Sequence, residues 1–210
     1  MTKIKICGLS RMADIEAVNE YLPDYIGFVF ASESRRQVSE DTARQLKAAL
    51  HPKVKAIGVF VNDDPKRIVG LCKDKTIDIV QLHGDEGEEY FKTLRSMIPH
   101  PIIKAVRVKN HESMQNAIQY PSNYLLLDTY REKEYGGSGE TFDWSLISNI
   151  PKPYFLAGGI HVDNVDEAIR RCHPYCIDIS SGVETDGVKD SKKIQEIILK
   201  IRDLKSVVTQ

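Results

Sequence analysis

The 210-residue chain is poor in several things. It has one tryptophan and four cysteines, and its formal net charge is only −1. Cys7, Cys72, Cys172 and Cys176 are too few and too scattered for a disulfide framework, which points to reduced thiols and a cytoplasmic protein. Cys172, His173 and Cys176 lie close together, but no second cluster completes a four-ligand set. They read as buried structural side chains, and no metal is expected. The near-zero charge gives no bulk argument for nucleic acid or an anionic membrane as a partner, and neither is expected. No apolar run approaches the length of a membrane span. The short N-terminal run is broken by Lys3 and Lys5 and does not read as a signal peptide. Linkers, low-complexity tracts and shifts of composition are also missing, so residues 1–210 are expected to form a single domain.

What is present is alternation. Short apolar runs recur as "IKIC" (4–7), "YIGFVF" (25–30), "VKAIGVFV" (54–61), "DIVQLH" (78–83), "PIIKAVRV" (101–108), "NYLLLD" (123–128), "PYFLAGG" (153–159) and "CIDISSG" (176–182). A helix-like pattern follows each. Ser39 reads as an N-cap with Glu40 and Asp41 in the first turn, and Asp64 as another with Pro65 at the first helical position. A short helix is expected near "DWSLI", and the last helix carries Ile194, Ile197, Ile198, Ile201 and Leu204 at helical spacing. Near-continuous apolar strands are those covered on both faces, and strict strand–helix alternation implies parallel pairing. Eight units fit a closed (β/α)8 TIM barrel, a fold of about 200 residues or more. A doubly wound open sheet is the alternative, because alternation alone does not prove closure.

In a barrel the active site lies at the C-terminal ends of the strands. Cys7, Asn62, His83, Arg107 and Asp128 stand there, with the loops "SESRR", "AGG" and "SSG". Gly158 and Gly159, then Ser180 and Ser181, follow strands seven and eight, the common phosphate site of this fold; the plainer reading is two tight turns. Arg35 reads as a solvated loop residue. Arg36 is either another solvated loop residue or a planar fork that pairs with a carboxylate. Asp128 closes an apolar strand and is a candidate proton donor or acceptor, or else a loop-ordering carboxylate. Cys7 is an inert small hydrophobe in most strands. At a strand end it is also a candidate base, since a free thiol ionises near about 8.5 and nearby cations favour the thiolate. The long segment 130–144, with "GGSG" inside it, reads as a lid.

Taken together, "KICGLS", "GFVFASESRRQVS", "GVFVN", "VQLHGDE", "LLLDT", "YGGSGETFDW", "LAGGI" and "DISSGVE" resemble the phosphoribosylanthranilate isomerases of tryptophan biosynthesis over nearly the whole chain. The resemblance implies an Amadori rearrangement of N-(5'-phosphoribosyl)anthranilate to 1-(2-carboxyphenylamino)-1-deoxyribulose 5-phosphate, without metal or cofactor. It implies Cys7 as general base, Asp128 as general acid, Arg36 on the anthranilate carboxylate, and Gly158, Gly159, Ser180 and Ser181 on the phosphate. The partner is then a phosphorylated small molecule, and the assembly a monomer or homodimer. One alternative is the related histidine-pathway isomerase, which generally uses two aspartates and is opposed by Cys7. The other is a phosphate-binding barrel without catalysis.

Overall fold

A computed structural model describes residues 2–129, 141–147 and 150–207. Eight parallel strands form a closed barrel in chain order. They are β1 (Lys3–Cys7), β2 (Tyr25–Val29), β3 (Lys55–Phe60), β4 (Ile79–Leu82), β5 (Ile102–Val108), β6 (Tyr124–Thr129), β7 (Tyr154–Leu156) and β8 (Cys176–Ile179). Closure comes from the pairing of β8 with β1, in register from Lys3↔Cys176 to Ile6↔Ile179. The open-sheet alternative is thereby removed. Helices α1 (Met12–Tyr21), α2 (Glu40–Ala49), α3 (Pro65–Lys73), α4 (Glu88–Met97), α5 (His111–Gln119), α6 (Val165–Cys172) and α7 (Ser191–Val207) surround it. No helix of the described residues is long and apolar enough to cross a membrane.

Local chemistry sets the boundaries. Ser39 Oγ accepts from Thr42 N–H and Asp64 Oδ1 from Lys66 N–H, satisfying amides that no helix turn can reach. The helix expected near "DWSLI" is a single 3-10 turn, Trp144–Leu146, capped by Asp143. Pro151 and Pro153 lie just beyond and lack the N–H groups that a longer helix would need. A small antiparallel hairpin, β9 (Glu184–Thr185) and β10 (Val188–Lys189), follows β8. Its turn is Asp186–Gly187, both at positive φ (52° and 78°), the geometry that matches strand twist in a two-residue hairpin.

The period of two divides each strand between two cores. Outward residues such as Ile4, Ile6, Phe28, Leu125 and Ile177 pack with helix residues such as Ile15, Leu46, Phe91 and Ile198. Inward residues form an apolar floor at the N-terminal end: Tyr25, Ile57, Ile79, Ile103, Leu126, Phe155 and Cys176. The Phe155 ring lies 5.6 Å from that of Tyr25 and 5.8 Å from those of Tyr124 and Tyr175. Above the floor the interior turns polar, with Lys5, Gln81 and Asp178 buried on strands β1, β4 and β8.

The floor makes a stability prediction. Phe155→Ala removes a fully buried ring that neighbouring strands cannot collapse to replace, and it should cost about 3–5 kcal/mol of unfolding free energy in urea denaturation. A loss below about 1 kcal/mol would mean that the floor does collapse onto the site.

Candidate active site

Because Lys5 and Cys7 are two residues apart on β1, both face the barrel interior. Cys7 is 8% exposed and packs beside Val29 and Val59. Its register partner on β2 is Gly27. A methyl group there would lie 2.6 Å from the Cys7 sulfur, so glycine leaves the sulfur its space. Burial pushes the Cys7 thiol up, and Asp178 adds to this; the cations of Lys5 and Lys189 pull it back without cancelling it.

Asp128, at the end of β6, is 5% exposed. Its Oδ1 accepts from the Thr129 amide at 2.8 Å. Its Oδ2 lies 3.3 Å from His83 Nε2, in ion-pair range but without the alignment of a hydrogen bond. Gly158 closes in from the next loop at φ +83°, where an added Cβ would stand 2.3 Å from Thr129 Oγ1 and 2.9 Å from Asp128 Oδ1. Only glycine fits that approach.

A chain of buried contacts runs below both residues. Lys5 Nζ donates to Asp178 Oδ2 at 2.8 Å and to Gln81 Oε1 at 2.7 Å. Gln81 Nε2 meets His83 Nδ1 at 2.9 Å, which brings the chain to Asp128. Burial acts against the Lys5 ammonium, but Asp178 and Cys7 outweigh it and hold it above the ordinary lysine range. Burial also pushes the Asp178 carboxyl up, with Lys5 opposing. The two directions conflict for a simple ion pair. The 2.8 Å contact and the strongly held ammonium make the charged pair the state described here.

Arg36, in the loop after β2, lies against Gly8 and near Ser180: a Cβ on Gly8 would meet Arg36 Cδ at 2.5 Å and Ser180 Oγ at 3.4 Å. Its Nε and Nη2 form a fork on Glu184, at 2.6 and 2.8 Å. Glu184 also takes Lys189 Nζ at 2.5 Å. Burial acts against the Glu184 carboxylate, but the bonds from Arg36 and Lys189 hold it below its ordinary range. Arg35 is exposed, as its loop position suggested. Gly158 and Gly159 both have positive φ, and Ser180 Oγ donates to the Cys7 carbonyl at 3.1 Å. Ser181 opens a one-turn 3-10 helix, Ser181–Val183. The loops after β7 and β8 touch, since a Cβ on Gly182 would stand 2.0 Å from the Ile160 carbonyl oxygen. So Cys7, Asp128, Arg36 and both glycine- and serine-bearing loops share one end of the barrel.

The sequence reading did not single out Lys5, Gln81, Asp178, Glu184 or Lys189. The signal for the first three was available: a charged or amide residue at an inward position of an otherwise apolar strand, in "KIKIC", "IVQLH" and "CIDIS". Of the segment expected to form a lid, residues 130–140 lie outside the described residues. Phe142 is buried in the outer core, and Trp144 packs against it with Arg171 above its ring.

The chain and its barrel both have matches among known proteins. The family model described as N-(5'phosphoribosyl)anthranilate (PRA) isomerase matches residues 4–200. The N-(5'-phosphoribosyl)anthranilate isomerase of Endomicrobium trichonymphae is 49% identical over 204 residues, covering 97% of this chain and 100% of that protein. The crystal structure of the Thermotoga maritima phosphoribosyl anthranilate isomerase superposes with a TM-score of 0.85 at 35% identity, covering 97% of this chain and 100% of that one. A phosphoribosyl anthranilate isomerase in complex with reduced 1-(o-carboxyphenylamino)-1-deoxyribulose 5-phosphate has a TM-score of 0.83 at 35% identity, with the same coverage.

The Cys7 environment sets a measurable titration. Burial raises the thiol, so the thiolate fraction at neutral pH is smaller than for a free cysteine. Alkylation of Cys7 by iodoacetamide, followed by peptide mass spectrometry, should keep rising with pH after a free-cysteine peptide has levelled off. A plateau below the free peptide's would reverse the balance between burial and the Lys5 cation.

Proposed function

The chain belongs to the N-(5'-phosphoribosyl)anthranilate isomerase family, and from that premise we propose that Cys7 and Asp128 are the proton-transfer pair of its Amadori rearrangement. The observation that carries this reading is their placement. Each ends an inward-facing strand position at the barrel mouth, on β1 and β6, and the two ends are joined by buried polar side chains. Proton delivery from the Asp128 carboxyl to the ribose ring oxygen breaks the bond from that oxygen to C1'. The anilino nitrogen lone pair moves in to form the iminium. That cation acidifies the C2' proton, which the Cys7 thiolate removes. The resulting enolamine tautomerises to the ketone.

Holding the substrate in line between the two groups converts its binding into orientation. The reduced product analogue in the related complex carries a carboxyphenyl group at one end and a phosphate at the other. Arg36 suits the carboxylate: its bonds to Glu184 use Nε and one Nη2 hydrogen, and the Nη1–Nη2 edge of a guanidinium is a second fork of the same kind. Gly158, Gly159, Ser180 and Ser181 suit the phosphate, since glycines let amides approach an anion closely. Residues 1–210 act as one catalytic domain, a reading supported by the family match across 4–200. The enzyme works in the cytoplasm, where its four unpaired, buried cysteines stay reduced. It acts as a monomer or homodimer; the Thermotoga maritima relative is described as dimeric.

Three variants test the assignment. Cys7→Ala and Asp128→Asn should each lower kcat by roughly 10²–10⁴-fold in a steady-state assay that follows loss of anthranilate fluorescence. Unchanged turnover in either variant removes that residue from the pair. Arg36→Met should act mainly on KM, because the carboxylate keeps its charge throughout the reaction. A collapse of kcat with unchanged KM would give Arg36 a chemical role instead. In the unsubstituted enzyme, kcat/KM should fall at both low and high pH, because one enzyme form must carry the Asp128 proton and the Cys7 thiolate together, and the two apparent values belong to the pair.

A further inference from the structure

Lys5 is a fully buried lysine in the middle of a barrel, and the proton-transfer steps above do not use it. Its partners nevertheless fix the direction of every hydrogen bond in the chain that leads to Asp128. An ammonium only donates. Its bond to Gln81 Oε1 therefore commits the amide oxygen as an acceptor and turns the Gln81 NH2 group, a pure donor, toward His83 Nδ1. Nδ1 must then accept, so the proton of the neutral imidazole sits on Nε2. Nε2 is the nitrogen facing Asp128 Oδ2 at 3.3 Å, and its hydrogen bond is unmade in this structure. The same ammonium stands one strand step below the Cys7 sulfur, on the same face of β1.

We infer that Lys5 is a positioning residue acting on both ends of the site: through Gln81 it fixes the Nε2–H tautomer of His83 beneath Asp128, and by its charge it supports the Cys7 thiolate. This rests on the assignment of Cys7 and Asp128 as the reacting pair. An Nε2–H donor aimed at Asp128 offers a hydrogen bond to the carboxylate left when the proton has gone to the substrate. The charges around each member are accounted for. Cys7 faces Lys5 on its own strand, Asp178 on β8, Lys189 on β10 and Arg36 from the loop after β2. His83 faces Asp128 on β6 and Asp178 on β8. Lys5 faces Asp178 and Cys176 on β8, besides Cys7. Lys189 already shares Glu184 with Arg36, whereas Lys5 is paired with Asp178 and bonded to the neutral Gln81.

The test reads tautomer and thiol titration separately from turnover. In the unsubstituted protein, imidazole ¹⁵N NMR should show His83 with Nε2 protonated and Nδ1 bare. Gln81→Met should abolish that preference and lower kcat at least tenfold, while the pH profile of Cys7 alkylation stays in place. Lys5→Met should move that alkylation profile upward by about one pH unit or more, which is at least about tenfold in rate near neutral pH. A proton on His83 Nδ1, or an unmoved tautomer in Gln81→Met, overturns the relay. An unmoved alkylation profile in folded Lys5→Met overturns the charge role. If Lys5→Met does not fold, Lys5→Gln supplies the same reading of the thiol. None of these readouts needs Cys7 to be the base. Failure of that assignment appears as retained turnover in Cys7→Ala and is distinguishable from failure of this one.

Discussion

The Lys5 ammonium has no exposure to water, and its contact with Asp178 at 2.8 Å is the constraint around which the upper half of the barrel is arranged. A charge removed from water is strongly unfavourable unless it is paired and its remaining donors are bonded. Asp178 supplies the pairing and Gln81 the second acceptor. These come from β8 and β4, which flank and face β1 around the ring. Barrel closure is therefore a condition for burying the lysine, because in an open sheet β8 would not lie against β1. An apolar floor of isoleucines and Phe155 below keeps water out from the N-terminal end.

Two further buried cations do for the loops what Lys5 does for the interior. Lys104 on β5 points outward and bonds the Gly84 carbonyl and Glu86. Glu86 in turn accepts from the Asn62 and Gly84 amides. That cluster pins the turn immediately after His83, so the imidazole is held from below by Gln81 and from behind by its own loop. Lys189 on β10 bonds Glu184 and the Ser180 carbonyl, and Glu184 takes the Arg36 fork. The small hairpin β9–β10 thus ties the loop after β2 to the loop after β8. The cost is similar in each case: burial pushes both lysines below their ordinary range, and the partner carboxylate opposes it. Such pairs add little net stability, but breaking one leaves an uncompensated charge and so enforces a single loop geometry.

Much of this was legible in the amino-acid order. Eight apolar runs alternating with helical patterns dictated parallel strands, with boundaries within one residue for six of them and three residues too long at the C-terminal ends of β7 and β8, because period and capping are local properties. The positions of Cys7, Asp128, Gly158 and Ser180 at strand ends followed from the same reading. The Asp186–Gly187 turn was present in the sequence too, but a two-residue strand on either side carries too little pattern to stand out. Closure of the sheet was decided only in three dimensions, because strand–helix alternation is equally compatible with an open sheet. So were the partners of Arg36: Glu184 lies 148 residues away, and nothing local marks it as the acid that receives the fork. The polar chain from Asp178 through Lys5, Gln81 and His83 draws on strands from opposite ends of the sequence. Sequence determines which residues point inward, since that depends on a period of two; which of them meet depends on register and closure, and those are properties of the assembled barrel.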